Sequence, residues 1–194
     1  MWLSQSKVLR LIRDADAATP KAHAAAAELK SIGIKAVPRV SRILLKGKPC
    51  DQLAAARALI LLNSNDSVDA LIEVLRGENV QLRAEAAGTL GFLRNHRAVP
   101  PLIRLLEDAD SRVRGRAATA LGTIGLSDAV ESLLALLQDK NADVRSSAVF
   151  SLGMIGDLRA VEIVREHLSD KSRQVRKSAK LALARFHELL QQNK

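Results

Sequence analysis

LRAEAAGTLG at residues 82–91, VRGRAATALG at 113–122, VRSSAVFSLG at 144–153 and VRKSAKLALA at 175–184 are versions of one phrase, and their starts lie 31 residues apart. Behind the first three comes a second apolar phrase: AVPPLIRLLED from Ala98, AVESLLALLQD from Ala129 and AVEIVREHLSD from Ala160, again at intervals of 31. Within VRGRAATALGTIG, Val113, Ala117, Ala120, Leu121 and Ile124 fall on one face at helical spacing, the pattern of a helix buried along a stripe. Each 31-residue unit therefore predicts two helices. The alanines let neighbouring helices approach closely. Gly91, Gly122 and Gly153 recur late in the first helix, and Gly125 and Gly156 end two copies, where the chain has to turn.

The register extends backwards with decreasing fidelity. DQLAAARALILL from Asp51 and SVDALIEVLRG from Ser67 form a degenerate unit. HAAAAELKSIG and KAVPRVSRILLKG form another with one residue deleted after Gly33, and SKVLRLIRDAD matches a lone second helix. About twelve helices result: a lone helix at 4–14, repeats at 20–48, 51–77, 82–108, 113–139 and 144–170, and a capping helix at 175–190, all in one domain spanning 1–194. A unit this short cannot bury its apolar face alone, so consecutive units must stack. The expected fold is all-α, a right-handed α-solenoid of about five to six two-helix repeats.

Composition agrees. Apolar residues make up 47% of the chain, but Tyr is absent and the aromatics are Trp2, Phe92, Phe150 and Phe186, so small aliphatic side chains must do the packing. The lone Cys50 cannot form an intramolecular disulfide, which fits a reducing cytosol, and the sequence shows neither a signal-peptide run nor an uncharged stretch of spanning length. A cytoplasmic protein without membrane insertion is expected.

The phrase V-R-x-x-A-x-x-x-L-G, then I-G, then A-V-x-x-L and a closing Asp resembles the HEAT-repeat family, in its short form found in phycobilisome-lyase-type proteins. The resemblance spans residues 4 to 190. It implies a ladder of ion pairs between a loop Asp and the Arg that follows the helix-starting Val, matching Asp108 with Arg114, Asp139 with Arg145 and Asp170 with Arg176; these stabilise turns. Gly77 and Gln52 interrupt that ladder in the first two full units.

Enzymes built on similar scaffolds need residues that this chain lacks. Deoxyhypusine hydroxylases hold two irons on repeated His-Glu pairs, whereas His187-Glu188 is the single pair here. The related DNA glycosylases surround a base with aromatic side chains, which are scarce. There is no phosphate-binding glycine loop and no G-x-S-x-G elbow, and His23, His96, His167 and His187 occupy unrelated repeat positions. No catalytic residue, cofactor or metal-ligand set is identified.

Charge is uneven. Residues 1–50 hold ten Lys/Arg against three acids, residues 51–170 hold thirteen against seventeen, and residues 171–194 hold seven against one. Repeat register lines up Lys7, Arg10 and Arg13 with Arg39, Arg42 and Lys46 as one expected basic patch, and the same strip turns acidic at Glu131, Glu162 and Glu166. Phe150 and Met154, four residues apart near the edge of the buried stripe together with Phe92, form a candidate apolar anchor. The leading expectation is a non-enzymatic scaffold or adaptor for a protein partner that docks an acidic segment on the basic patch. Nucleic-acid binding through the basic ends is the alternative, opposed by the acidic middle and the lack of stacking aromatics. A phycobilin lyase or chaperone-like subunit is the second alternative and rests on the resemblance alone.

Overall fold

The computed structural model describes residues 4–16 and 21–192; Trp2 and Pro20, which opens the 20–48 repeat, lie outside them. The chain divides into two compact units, Met1–Leu93 and Arg94–Lys194, a boundary that falls between the two helices of the 82–108 repeat. The first unit contains α1 (Gln5–Asp16), α2 (Ala22–Ile32), α3 (Val37–Lys46), α4 (Pro49–Leu62), α5 (Val68–Val74) and α6 (Val80–Leu93). The second contains α7 (Val99–Leu105), α8 (Ser111–Ile124), α9 (Val130–Ala135), α10 (Ala142–Ile155), α11 (Val161–Glu166) and α12 (Arg173–Gln192). No strand occurs among the described residues, and each unit is a stack of helix pairs, the all-α solenoid class that the period predicts.

The 31-residue period reappears as burial. Leu59, Leu90, Leu121 and Leu152 occupy one register position and are 0–1% exposed; Leu71, Leu102, Leu133 and Val164 occupy another at 0%. Each such side chain contributes roughly 1.5–3 kcal/mol by leaving water. Ala55, Ala86, Ala117, Ala148 and Ala179 share a third position, all fully buried. In the second unit, α8, α10 and α12 pack side by side, and the two gaps between them are set by glycine. A Cβ on Gly122 would sit 2.6 Å from the Ser151 side chain, and one on Gly153 would sit 2.6 Å from the Ala182 Cβ.

Turns repeat as faithfully as the core. The second helices are entered through 3-10 turns at Asn65–Ser67, His96–Ala98, Ser127–Ala129 and Leu158–Ala160. Ser64, Asn95 and Asp157 cap three of these by accepting a backbone N–H two residues on. Asp110 and Asn141 cap α8 and α10 in the same way. The residue closing each first helix is left-handed at Asn63 (φ 41°), Arg94 (49°), Gly125 (82°) and Gly156 (79°). Glycine adopts this conformation freely, so the first two copies hold a strained side chain where the last two have none.

Candidate binding surface

The six cations expected to form one patch lie on two helices and face different neighbours. Lys7 Nζ is 2.7 Å from Glu28 Oε1 on α2. That bond, with a further contribution from Arg10, lowers the Glu28 carboxyl pKa. Arg13 turns towards α4, where Nε and Nη2 donate to the two carboxylate oxygens of Asp51 at 2.6 and 2.8 Å. Asp51 has a side chain only 5% exposed, and the Arg13 bonds hold its pKa below the usual carboxylate range against the opposing effect of burial. Lys7 and Arg13 are thus structural partners of acids that repeat register alone did not bring near them. Gln5 Nε2 donates to the Arg39 carbonyl at 3.1 Å, which places the start of α1 beside α3. Arg10 on α1 and Arg39, Arg42 and Lys46 on α3 make no ion pair among the described residues, and the three on α3 are the group that stays together on one helix.

The Asp-Arg ladder exists, with partners shifted by one repeat. Arg114 does not pair with the Asp108 carboxylate. Its Nε and Nη2 donate to Asp139 at 2.7 and 3.0 Å, while Nη1 donates to the backbone carbonyls of Asp108 (2.8 Å) and Ala109 (3.1 Å). Arg145 likewise reaches Asp170 at 2.9 Å through two bonds and the Asp139 carbonyl at 2.7 Å. The cause is the stacking of α10 on α8, which carries the loop after α9 over the first turn of α8, within reach of a long guanidinium. Asp139 also accepts the Asn141 N–H at 2.8 Å, so its carboxylate is fixed from both sides. Arg176 makes the turn bonds only, donating to the carbonyls of Asp170 and Lys171, with no carboxylate partner among the described residues. In the first unit Gln52 replaces the arginine and donates to the Leu44 carbonyl at 2.9 Å, within α3, in place of the ladder's turn bonds and ion pair. The Arg145 bonds push the Asp170 pKa down to about 2.

Further side chains work without having been singled out by sequence. Arg57 bridges Asp16 at 2.9 Å and Glu85 at 3.0 Å. Buried His167 ties the last two full repeats together, with Nδ1 2.9 Å from the Ile163 carbonyl and Nε2 3.4 Å from that of Leu137. Neither was legible, because no other copy of the repeat has Arg or His at those positions.

Two surfaces of the second unit are open. On the side of the second helices, α7 and α9 border a cleft of about 360 Å³ lined by Ile103, Leu106, Ser132, Ala135 and Leu136, with Glu107, Gln138 and Asp139 at its edge. On the side of the first helices Phe150 is 42% exposed and Met154 is half-buried; Phe92, in the first unit, is 56% exposed. Among the described residues no group of three or more His, Cys, Asp or Glu gathers as a metal site, and no helix is long and apolar enough to cross a membrane. Cys50 is an exposed free thiol.

The comparisons agree with this architecture. A family model for HEAT repeats matches residues 37–116, 68–153 and 100–184. The CpcE–CpcF complex of phycocyanin lyase from Nostoc sp. PCC7120 is similar at 26% identity and a TM-score of 0.66, covering 77% of this chain and 98% of that one. An engineered protein is similar at 22% identity and TM-score 0.58, covering 93% and 96%. Computationally designed armadillo repeat proteins for modular peptide recognition are similar at 17% and 0.57, covering 92% and 99%. The curated proteins include no match to this sequence. With the repeat model covering most of its length and the helix pairs in place, the chain belongs to the HEAT-repeat family.

Proposed function

We propose that this protein is a non-enzymatic binding module that holds a segment of a partner protein against its second helices. The observation that carries the reading is the cleft between α7 and α9. Its floor is small and apolar, Ser132 and Ala135 leave room for a ligand side chain, and Glu107 and Gln138 supply hydrogen-bond acceptors at the rim. The unpaired Arg39, Arg42 and Lys46 on α3 of the first unit provide a second contact, suited to an acidic stretch of the same or another partner. Armadillo designs of similar fold, one made for modular peptide recognition and one solved with a (KR)4 peptide, show that a scaffold of this class can hold a peptide. We place the module in the cytoplasm, where an exposed Cys50 stays reduced.

The test is affinity capture from nuclease-treated lysate with wild type, Ala135→Trp and the triple Arg39→Glu/Arg42→Glu/Lys46→Glu variant. Loss of the same protein by Ala135→Trp, with its melting curve unchanged, supports the cleft; equal capture by all three refutes both contacts. Retention of nucleic acid alone, falling steeply with salt, supports phosphate-backbone binding instead. A lyase-related role is the reading favoured by the likeness to phycocyanin lyase subunits, and a shift in the visible absorbance of a free bilin on adding the protein is its check.

A further inference from the structure

Helices α10 and α12 run alongside each other, pinned at two points: Ser146 Oγ lies 2.9 Å from Ser178 Oγ, and Gly153 is pressed against Ala182. Between those points, on the side away from the second helices, α10 presents Phe150 and α12 presents Leu181. They are equivalent residues of successive repeats, 42% and 54% exposed. Sequence reading singled out Phe150 and passed over Leu181, although the 31-residue spacing connects them. Met154 lies one turn beyond Phe150. On the other flank, α8 is held to α10 through Gly122 and Ser151, and it offers Thr119 and Thr123 in the same rows. Both threonine hydroxyls are bonded within the helix, to the carbonyls of Gly115 at 3.0 Å and Thr119 at 2.9 Å, so neither needs a partner or water.

An apolar patch therefore lies across α10 and α12, and the methyl groups of Thr119 and Thr123 continue its rows onto α8. Its surroundings are cationic. Arg116 lies one turn before Thr119, and Lys177, Lys180 and Arg185 surround Leu181; all four are exposed and form no ion pair among the described residues. Asp143 and Glu188 are the acids on these rows, and each is about two turns from the nearer apolar side chain. Three helices spaced about 8–10 Å apart give a strip of roughly 20 Å, the length of a helix of about 13 residues. Its centre holds an exposed aromatic, the residue type on which binding energy concentrates.

We propose that this strip docks an acidic amphipathic helix of a partner protein, with apolar side chains at i, i+3, i+4 and i+7 seated on Phe150, Met154 and Leu181 and flanking carboxylates meeting Arg116, Lys177, Lys180 and Arg185. It rests on the protein-binding reading above but not on the cleft between α7 and α9. Apolar groups ringed by cations also suit an anionic bilayer, but the strip stays within one helix layer, and Asp143 and Glu188 would be carried towards the lipid.

The experiment is selection from a phage-displayed library of helix-forming 16-residue peptides against the full chain. One selected peptide is then titrated by fluorescence anisotropy against wild type, Phe150→Ala/Leu181→Ala, Lys177→Glu/Lys180→Glu/Arg185→Glu and Ala135→Trp. The expected result is net-acidic amphipathic sequences whose affinity falls at least tenfold in both multiple variants, with unchanged circular dichroism, and persists in Ala135→Trp. Peptides that bind the Phe150/Leu181 variant equally well, or that are net basic, overturn the proposal. So do peptides lost in Ala135→Trp alone, which would place binding in the cleft. Sedimentation with phosphatidylserine vesicles that depends on Phe150 and Leu181, with no peptide enriched, overturns it in favour of a membrane surface.

Discussion

Neutralising Asp139 with Asp139→Asn strands a buried guanidinium. Arg114 and Asp139 have side chains 9% and 8% exposed, so neither charge is well hydrated. Arg114 would keep its bonds to the carbonyls of Asp108 and Ala109, and the amide oxygen at 139 would still accept the Asn141 N–H. That oxygen also accepts from Arg114 Nη2, so what is lost is the Nε bond to the second oxygen, replaced by an amide NH2 facing the guanidinium, and the counter-charge. Breaking a buried pair from one side costs about 3–5 kcal/mol; the retained carbonyl partners place Asp139→Asn near the lower end, about 3 kcal/mol. Arg114→Met is expected to cost a similar amount, because it leaves the carboxylate with one donor. The double variant removes both charges together, and replacing a buried pair with neutral groups is nearly cost-free apart from the freed carbonyls, so it should lose less than the two single losses combined. Urea unfolding followed by circular dichroism gives the cycle, and a coupling above about 1.5 kcal/mol is expected. Hydrogen exchange should localise the single-variant losses to α8 and α10, because repeat stability passes mainly between neighbours. Single losses below about 1 kcal/mol that add without coupling would show an ordinary surface pair and refute the reasoning.

Gly153→Ala should destabilise by about 1–3 kcal/mol, since its Cβ meets the Ala182 Cβ at 2.6 Å and the Ala182 Cα at 2.7 Å and the helices must part; the urea midpoint reads this, and no change would mean that α12 shifts freely. Arg94→Gly should stabilise by up to about 1 kcal/mol, because the relief of a left-handed arginine at φ 49° exceeds the entropy that glycine adds to the unfolded chain, whereas Gly125→Ala should destabilise; melting temperatures check both signs. Acid should weaken the fold through Asp51, Asp139 and Asp170, whose folded pKa values are lowered mainly by side-chain bonds from Arg13, Arg114 and Arg145 respectively. Their stabilisation is complete above the unfolded carboxylate pKa of about 3.9 and is lost as pH falls from there towards the Asp170 value of about 2; Asp170→Asn should flatten that slope in urea titrations at pH 2–5.

The helix pairs, their number and their buried stripes were legible before any coordinates because a repeat states its own register several times over. One copy of VRGRAATALG is a weak helix signal, whereas copies at 31-residue intervals turn Leu121 and Leu152 into a core column and Gly125 and Gly156 into helix ends. The same logic extends to Asn63 and Arg94, which share the left-handed position although their side chains disguise it. Phe150 was visible as an edge residue, and the period would have added Leu181 to it.

Pairing between side chains was a different matter. The family resemblance identified Arg114, Arg145 and the aspartates as a set, yet only packing decided that each of these arginines reaches forward to the aspartate of the next repeat and uses carbonyls for its own turn. Register also aligned six cations, and packing gave Lys7 to Glu28 and Arg13 to Asp51, leaving Arg10, Arg39, Arg42 and Lys46 without ion-pair partners among the described residues. The physical reason is reach. Helical periodicity and repeat length are properties of the backbone and appear in the order of residues, whereas a salt bridge depends on a few ångströms between the ends of flexible side chains, a distance that exists only once helices are stacked.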